Sequence, residues 1–151
     1  MNRLALLVAG TAVLAVSTIT PAGAAALPTG STETVTSCGY SGLQAGLNTR
    51  VCAEVTGTTV EFYGTVGLAG PPSPGGPWPD PKELITTLST EVVGGVALST
   101  RTSQVIFTAS TLQLRGPAST VPCGSTVRAT FAAASYPRPA QPVVHEVTIA
   151  C

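Results

Sequence analysis

Short runs rich in threonine and valine, interrupted by glycine or proline about every ten residues, limit the folds open to this chain more than any other feature. Such runs are typical of β-strands, because β-branched side chains fit a pleated, half-buried surface and glycine and proline favour turns. No long stretch carries the period of an amphipathic helix. The pattern therefore predicts an all-β protein of roughly seven to nine short strands.

One hairpin can be placed in register from the sequence alone. Residues 49–56 and 59–68 flank Gly57 and Thr58, a pair that suits a two-residue turn with glycine first. In this register, apolar residues face apolar residues on one side of the hairpin. The predicted opposite pairs are Val55 with Val60, Ala53 with Phe62, and Cys52 with Tyr63.

Further strands are predicted near 32–38 and over 83–93, 96–101, 103–115, 125–135 and 142–151, with Gly94 and Gly95 as a tight turn. Between residues 88 and 104 both alternating sets of positions carry apolar side chains, so the strand limits are not defined there. This number of strands is typical of two packed sheets. We expect a two-sheet antiparallel sandwich with an immunoglobulin-like Greek key; the alternative is a small closed β-barrel.

Residues 1–26 have the composition of a secretory signal peptide. A short basic start, MNR, precedes the charge-free apolar run LALLVAGTAVLAVSTI, and small residues suited to signal peptidase follow Pro21. The alternative, a transmembrane anchor, is disfavoured because the run is at the short limit for a span of about 17 to 25 residues. We expect cleavage after Ala24 or Ala26, secretion of a single domain at 27–151, and no membrane attachment after cleavage.

The charge of the mature chain excludes one class of partner. Loss of Arg3 with the signal leaves six basic residues against seven acidic ones, so the domain is almost neutral. Binding to nucleic acid or to anionic lipid needs a basic surface, and none is expected here. The bias toward alanine, glycine, proline, threonine and valine suggests a GC-rich bacterial genome.

Four cysteines in an exported chain predict two disulfides. In its strand Cys52 alternates with the apolar residues Val51 and Ala53 and points to the other face, and Cys38 likewise lies out of phase with its apolar neighbour. Cys123 and Cys151 lie in phase with the apolar residues of their strands. The alternation therefore favours Cys38–Cys52 and Cys123–Cys151, which is also the most local pairing.

The stretch SCGYSGLQAGLNTRVCAEV and the later cysteine pair resemble the two-disulfide arrangement of small secreted bacterial α-amylase inhibitors of the tendamistat type. The resemblance covers Cys38–Val55 and the closing pair Cys123 and Cys151. The Trp-Arg-Tyr inhibitory triplet of that family has no match between the first two cysteines, and the middle of this chain is longer. Amylase inhibition is therefore not transferred to this protein.

Catalytic candidates are few, and no enzyme is expected. The hairpin register sets Glu54 opposite Glu61, and paired carboxylates at short separation are what a retaining glycosidase uses. The simpler interpretation is two solvated glutamates whose repulsion Arg50 reduces. The single histidine, His145, and the single aspartate, Asp80, could join a serine in a hydrolase triad, but His145 shares the phase of the apolar residues in its strand.

Cofactor and metal sites are not expected either. The chain has no dinucleotide-binding or P-loop glycine pattern, no nucleophile elbow and no C-x-x-C pair, and its acidic residues are too few for a calcium site.

The segment GPPSPGGPWPDPKE at 70–83 carries the strongest indication of function. Its proline density prevents ladder hydrogen bonds and favours a stiff surface connection around the single tryptophan, Trp78. Trp78 either packs back over the sandwich or anchors a partner together with Asp80 and Lys82. A second proline loop, SYPRPAQP at 135–142, adds two further candidate partner-binding residues, Tyr136 and Arg138.

If the two loops share one end of the sandwich, they form a continuous binding rim. The sequence thus predicts a secreted, non-enzymatic binding protein whose partner is a protein or a glycan. The alternative is an inhibitor of a secreted protease or amylase that presents the 70–83 loop.

Overall fold

The computed structural model describes residues 33–150, and this part of the chain contains β-strands but no helix. Ten strands are present: β1 Thr34–Cys38, β2 Gly42–Gln44, β3 Leu47–Thr56, β4 Thr59–Leu68, β5 Lys82–Val92, β6 Ala97–Phe107, β7 Leu112–Arg115, β8 Ser119–Thr120, β9 Thr126–Ala134 and β10 Val143–Thr148. The predicted signal peptide at 1–26, with its cleavage site, lies outside the described residues.

The strands form two antiparallel sheets. In the first, β3 and β4 are central; β1 and β2 pair with β3, and β7 and β8 pair with β4. The second has the order β10-β9-β5-β6. Neither sheet closes on itself, so the alternative of a closed barrel is wrong and the all-β, two-sheet prediction is confirmed.

The immunoglobulin-like Greek key is not confirmed. The structure establishes two antiparallel sheets, and the Greek-key connection of that fold stays a prediction.

The structure confirms the register predicted for this hairpin. Val55 pairs with Val60, Ala53 with Phe62 and Cys52 with Tyr63. Gly57 begins the turn with a φ of 59°, a left-handed conformation that favours glycine. The tight turn at Gly94 and Gly95 is also confirmed, since the Gly95 N–H donates to the Val92 carbonyl.

The strand limits after residue 96 differ from the prediction. Residues 97–101 and 103–107 belong to one continuous strand, β6, whereas the strand predicted over 103–115 is interrupted before β7 begins at Leu112. Ala109 lies in the interruption with a φ of 68°, which no regular strand contains. The short strands β2 and β8 were not predicted, because three and two residues are too few to show an alternating pattern.

Apolar residues from both sheets form the core. Its largest fully buried side chains include Phe107, Phe131, Leu84 and Ile149. The Phe131 ring of the second sheet lies against the backbone of Gly64 in the first, where an added Cβ would be 2.3 Å from two ring carbons. This contact between the sheets therefore requires glycine at position 64.

Cys38 and Cys52 are directly opposite each other on β1 and β3 and form a disulfide with a Cα–Cα distance of 4.0 Å. This part of the disulfide prediction is confirmed, and it is typical of a protein that resides in an oxidising environment. The second predicted bridge, Cys123–Cys151, includes a residue outside the described range and stays a prediction.

Buried polar groups close one side of the sandwich. Gln44 of β2 is 1% exposed, and its amide inserts beside β9: Oε1 accepts from the Ala133 N–H at 2.8 Å and Nε2 donates to the Phe131 carbonyl at 3.1 Å. Strand β10 begins at Val143, opposite Phe131, so Ala133 lies beyond its end. The Gln44 side chain thus replaces the missing strand as the partner of β9.

Candidate functional site

The two proline-rich loops lie at the same end of the sandwich. The first leads into β5 at Lys82, whose Nζ donates to the Ala45 carbonyl at 2.8 Å. The second follows β9, and Arg138 within it approaches the same turn: a Cβ added to Gly46 would lie 3.4 Å from Arg138 Nη1 and 3.9 Å from Lys82 Nζ. The β2–β3 turn therefore lies close to both loops. We call residues 69–82 and 135–142 together the rim.

The first rim loop projects into solvent. Residues 69–81 are exposed throughout, including Asp80, and one internal hydrogen bond runs from the Gly76 N–H to the Ser73 carbonyl. The Trp78 side chain is 70% exposed. The interpretation in which Trp78 covers the open end of the sandwich is therefore wrong, and its ring is available for contact.

The second rim loop is a short turn with an aromatic tip. Ser135 and Arg138 exchange two backbone hydrogen bonds, of 2.6 and 3.2 Å, and the turn contains a cis Tyr136–Pro137 peptide bond. The side chain of Tyr136 is 100% exposed. The rim thus presents two exposed aromatic rings and the cation of Arg138.

The predicted pair Glu54 and Glu61 is present on the outer face of the first sheet, directly opposite each other on β3 and β4. Arg115 of β7 binds both carboxylates, with Nη–Oε distances of 2.9 and 3.0 Å to Glu54 and 3.0 Å to Glu61. Its guanidinium carbon also lies 4.8 Å from the centre of the Tyr63 ring. The predicted role of Arg50 is wrong, because that side chain donates to Ser41 instead.

This arrangement does not favour acid–base chemistry. The hydrogen bonds from Arg115 hold the pKa of Glu54 below its ordinary value and raise the pKa of Arg115. A glycosidase acid requires the opposite shift, a carboxyl group that stays protonated near neutral pH. The sequence did not identify Arg115 as the partner, because the pairing of β7 with β4 spans about 50 residues and leaves no local pattern.

His145 is half-buried and hydrogen-bonded to a serine. Ser37 Oγ and His145 Nε2 are 2.8 Å apart, and burial lowers the pKa of the imidazole. Within residues 33–150, no carboxylate contacts His145, so the triad with Asp80 is not assembled. The same part of the chain contains no group of three metal-ligating side chains. The pair instead links β1 of one sheet to β10 of the other.

Comparison of the chain with family models, with curated proteins and with solved structures found no match. In the described range 33–150, no helix is long and apolar enough to cross a membrane. The geometry above defines the class: an all-β, disulfide-containing domain with an exposed aromatic side chain in each of its two rim loops.

Proposed function

We propose that the mature protein is an exported, non-enzymatic binding protein that contacts a protein or a glycan at or near the cell surface through the rim. The observation that carries the proposal is the convergence of two proline-rich loops at one end, each with an exposed aromatic side chain, Trp78 and Tyr136.

The physical support is that binding costs little conformational entropy on such a surface. Proline fixes backbone angles before a partner arrives, and an aromatic ring supplies a large contact area with only two side-chain torsions. Tryptophan and tyrosine are enriched among the residues that dominate binding energy. They also offer a flat apolar face to a sugar ring.

Export is supported by the signal-like segment at 1–26 and by the Cys38–Cys52 disulfide. We also infer the second bridge, Cys123–Cys151. Hydrogen bonds from the Gly124 N–H to the Ile149 carbonyl and from the Ile149 N–H to the Ser125 carbonyl, 2.8 and 2.9 Å long, bring the chain beside Cys123 close to the carboxyl terminus.

For the fold, an immunoglobulin-like relationship stays a proposal. It is supported by the order β10-β9-β5-β6, which is the order G-F-C-C′ of a variable-type sheet.

The test uses Trp78 both as target and as probe, because it is the single tryptophan of the chain. Immobilised wild-type protein should retain a component of the cell wall or of the culture supernatant, and Trp78→Ala and Tyr136→Ala should each weaken its retention about tenfold or more. Addition of that component to free protein should shift the Trp78 fluorescence to shorter wavelength. Digestion with protease or with glycosidase identifies the class of partner.

Tyr40→Ala is the matched control, since Tyr40 is 94% exposed but lies outside both rim loops, beside Val144 and His145 of β10. Equal retention by wild type, the two rim variants and Tyr40→Ala would overturn the proposal.

The exposed first loop also favours a second candidate function, inhibition of a secreted hydrolase, since a loop held stiff by proline loses little entropy when it docks to an enzyme. Micromolar mature protein should then inhibit at least one member of a panel of extracellular proteases and amylases, and Trp78→Ala should relieve the inhibition. Full activity of the whole panel contradicts this candidate and leaves the first intact.

A further inference from the structure

The sandwich is closed on one side and open on the other. Gln44 and the Ser37–His145 pair connect the sheets along β1, β2, β9 and β10. At the opposite side, a cavity of about 300 Å³ lies between the edge strands β6 and β7 and opens to solvent. Its lining residues include Thr86, Leu88, Arg101, Ser103, Leu114 and Phe131.

The cavity has an apolar floor and a cationic mouth. Leu88 and Phe131 are buried core residues, and Leu114 packs against the core from β7. Arg101 lies opposite Leu88 in the register of β5 and β6, so a guanidinium occupies an inward-pointing position of the edge strand. Its Nη1 donates to the Arg115 carbonyl at 3.2 Å, which holds the side chain across the opening.

The charge of Arg101 is not balanced locally. Arg115 and Arg128 each bind two glutamates. Arg101 forms no ion pair within residues 33–150, and no carboxylate lines the cavity. A guanidinium has five N–H donors and matches a carboxylate in a two-point geometry, so most of its donors stay available to a bound anion.

We propose that this cavity binds a small amphipathic anion: a carboxylate at Arg101 and a compact apolar body over Leu114 and the accessible edge of Leu88. The volume is at the lower end of the range of ligand pockets, about 300 to 1,000 Å³, which limits the ligand to about the size of an aryl-substituted short-chain acid. Ser103 lines the same cavity and adds a polar side chain, whereas the buried Thr86 hydroxyl already donates to the Ser103 carbonyl. The site is separate from the rim and does not depend on its function.

Arg101 could instead protect the edge strand β6 against association, and this role must be distinguished from ligand binding. Inward-pointing charges on edge strands oppose edge-to-edge association of sheets. That role needs only a charge and no ligand, and it predicts loss of solubility, with no change in ligand preference, when the charge is removed.

The experiment is a titration of the disulfide-intact mature protein with 4-phenylbutyrate and with its neutral counterpart 4-phenylbutanamide, followed by amide NMR shifts. The acid should bind at least about tenfold more tightly than the amide, the difference expected of one charge-assisted pair. The largest shifts should fall on Ser103 and Leu114. Shifts centred on Trp78 and Tyr136 would place the ligand on the rim and overturn the proposal.

Arg101→Gln should remove the preference for the acid, and Arg101→Lys should retain part of it. The matched control is Arg50→Gln, which deletes an arginine outside the cavity and should leave the preference unchanged. Equal binding of acid and amide by wild type, no saturable binding of either, or an acid preference that survives in Arg101→Gln would each overturn the proposal. If Arg101→Gln aggregates, the comparison of Arg101→Lys with wild type decides: full acid preference with unaltered shifts at Ser103 contradicts a guanidinium contact.

Discussion

The absence of a side chain at Gly64 allows the two sheets to pack closely. Because the Phe131 ring occupies the position that a Cβ at residue 64 would take, even one methyl group must displace the ring or separate the sheets. We expect Gly64→Ala to lower the free energy of unfolding by about 1 to 3 kcal/mol, the usual cost of overpacking a core. Urea denaturation of the oxidised protein measures this change.

Two further variants test whether the Phe131 ring causes the loss of stability in Gly64→Ala. Gly70→Ala, with no atom within 4 Å of the added Cβ, should leave the urea midpoint unchanged. In a Phe131→Leu background, Gly64→Ala should cost less than in wild type, because the colliding ring is gone. Equal costs in both backgrounds would show that the ring contact does not explain the effect.

His145 determines part of the pH dependence of stability. Burial lowers its folded-state pKa below the ordinary value of 6.5, so as the pH falls the unfolded chain takes up the proton first. The stability linked to the neutral imidazole is complete above pH 6.5 and is lost as the pH decreases through 6.5 toward the folded-state pKa. His145→Gln, which retains a polar group near Ser37, should therefore lose less stability than wild type between pH 7.5 and 5.5.

Urea midpoints at the two pH values give this comparison. The two proteins carry the same acidic residues, so the contribution of carboxylates cancels in the comparison. An identical decrease in the two proteins would contradict a buried neutral histidine.

Among the strands, the features that the sequence predicted correctly are those that depend on residues close together in the chain. The register of β3 and β4 follows from a two-residue turn and alternating side chains, and both are local. The end of β6, the short strands β2 and β8, and the pairing of β7 with β4 depend on contacts distant in sequence. A left-handed alanine such as Ala109 also has no signature, because tertiary contacts impose its conformation.

Gln44 is the clearest example of a contact that the sequence did not predict. A glutamine in a three-residue strand gave no indication that its side chain would act as a strand partner. Gln44→Met keeps the volume but leaves the Ala133 N–H without an acceptor in a dry environment. We expect a loss of about 1 to 3 kcal/mol in the free energy of unfolding. Amide exchange at Ala133 should also become faster.

Leu43→Ala, at the exposed neighbouring position, is the control and should leave both quantities close to wild type. Unchanged exchange at Ala133 in Gln44→Met would mean that another group satisfies this amide.

For the whole molecule, the Cys38–Cys52 disulfide ties the edge strand β1 to the centre of its sheet. The bridge closes a loop with a sequence separation of 14, and the chain-entropy relation gives about 3 kcal/mol of stabilisation for such a loop. The double variant Cys38→Ser/Cys52→Ser should lose about this amount in urea denaturation. A loss close to zero would indicate that β1 is held by its backbone pairing alone.

The candidate sites could be predicted only in part. The proline density around Trp78 indicated a stiff exposed loop, but the meeting of this loop with Arg138 depends on the pairing of β5 with β9, which no local pattern reveals. The cavity at Arg101 gave no signal at all, because an arginine between polar residues is ordinary in an exposed strand. Arg101 becomes notable only when β6 and β7 are known to be the edge strands on either side of a cavity.

The proline content of the rim also limits how one chain can associate with another. Six residues between positions 71 and 81 are prolines and carry no backbone N–H. An extended segment of a neighbouring chain therefore cannot pair along residues 71–81 as a new strand, since the donors of a ladder are missing. The loop that exposes Trp78 is thus protected against strand-to-strand aggregation.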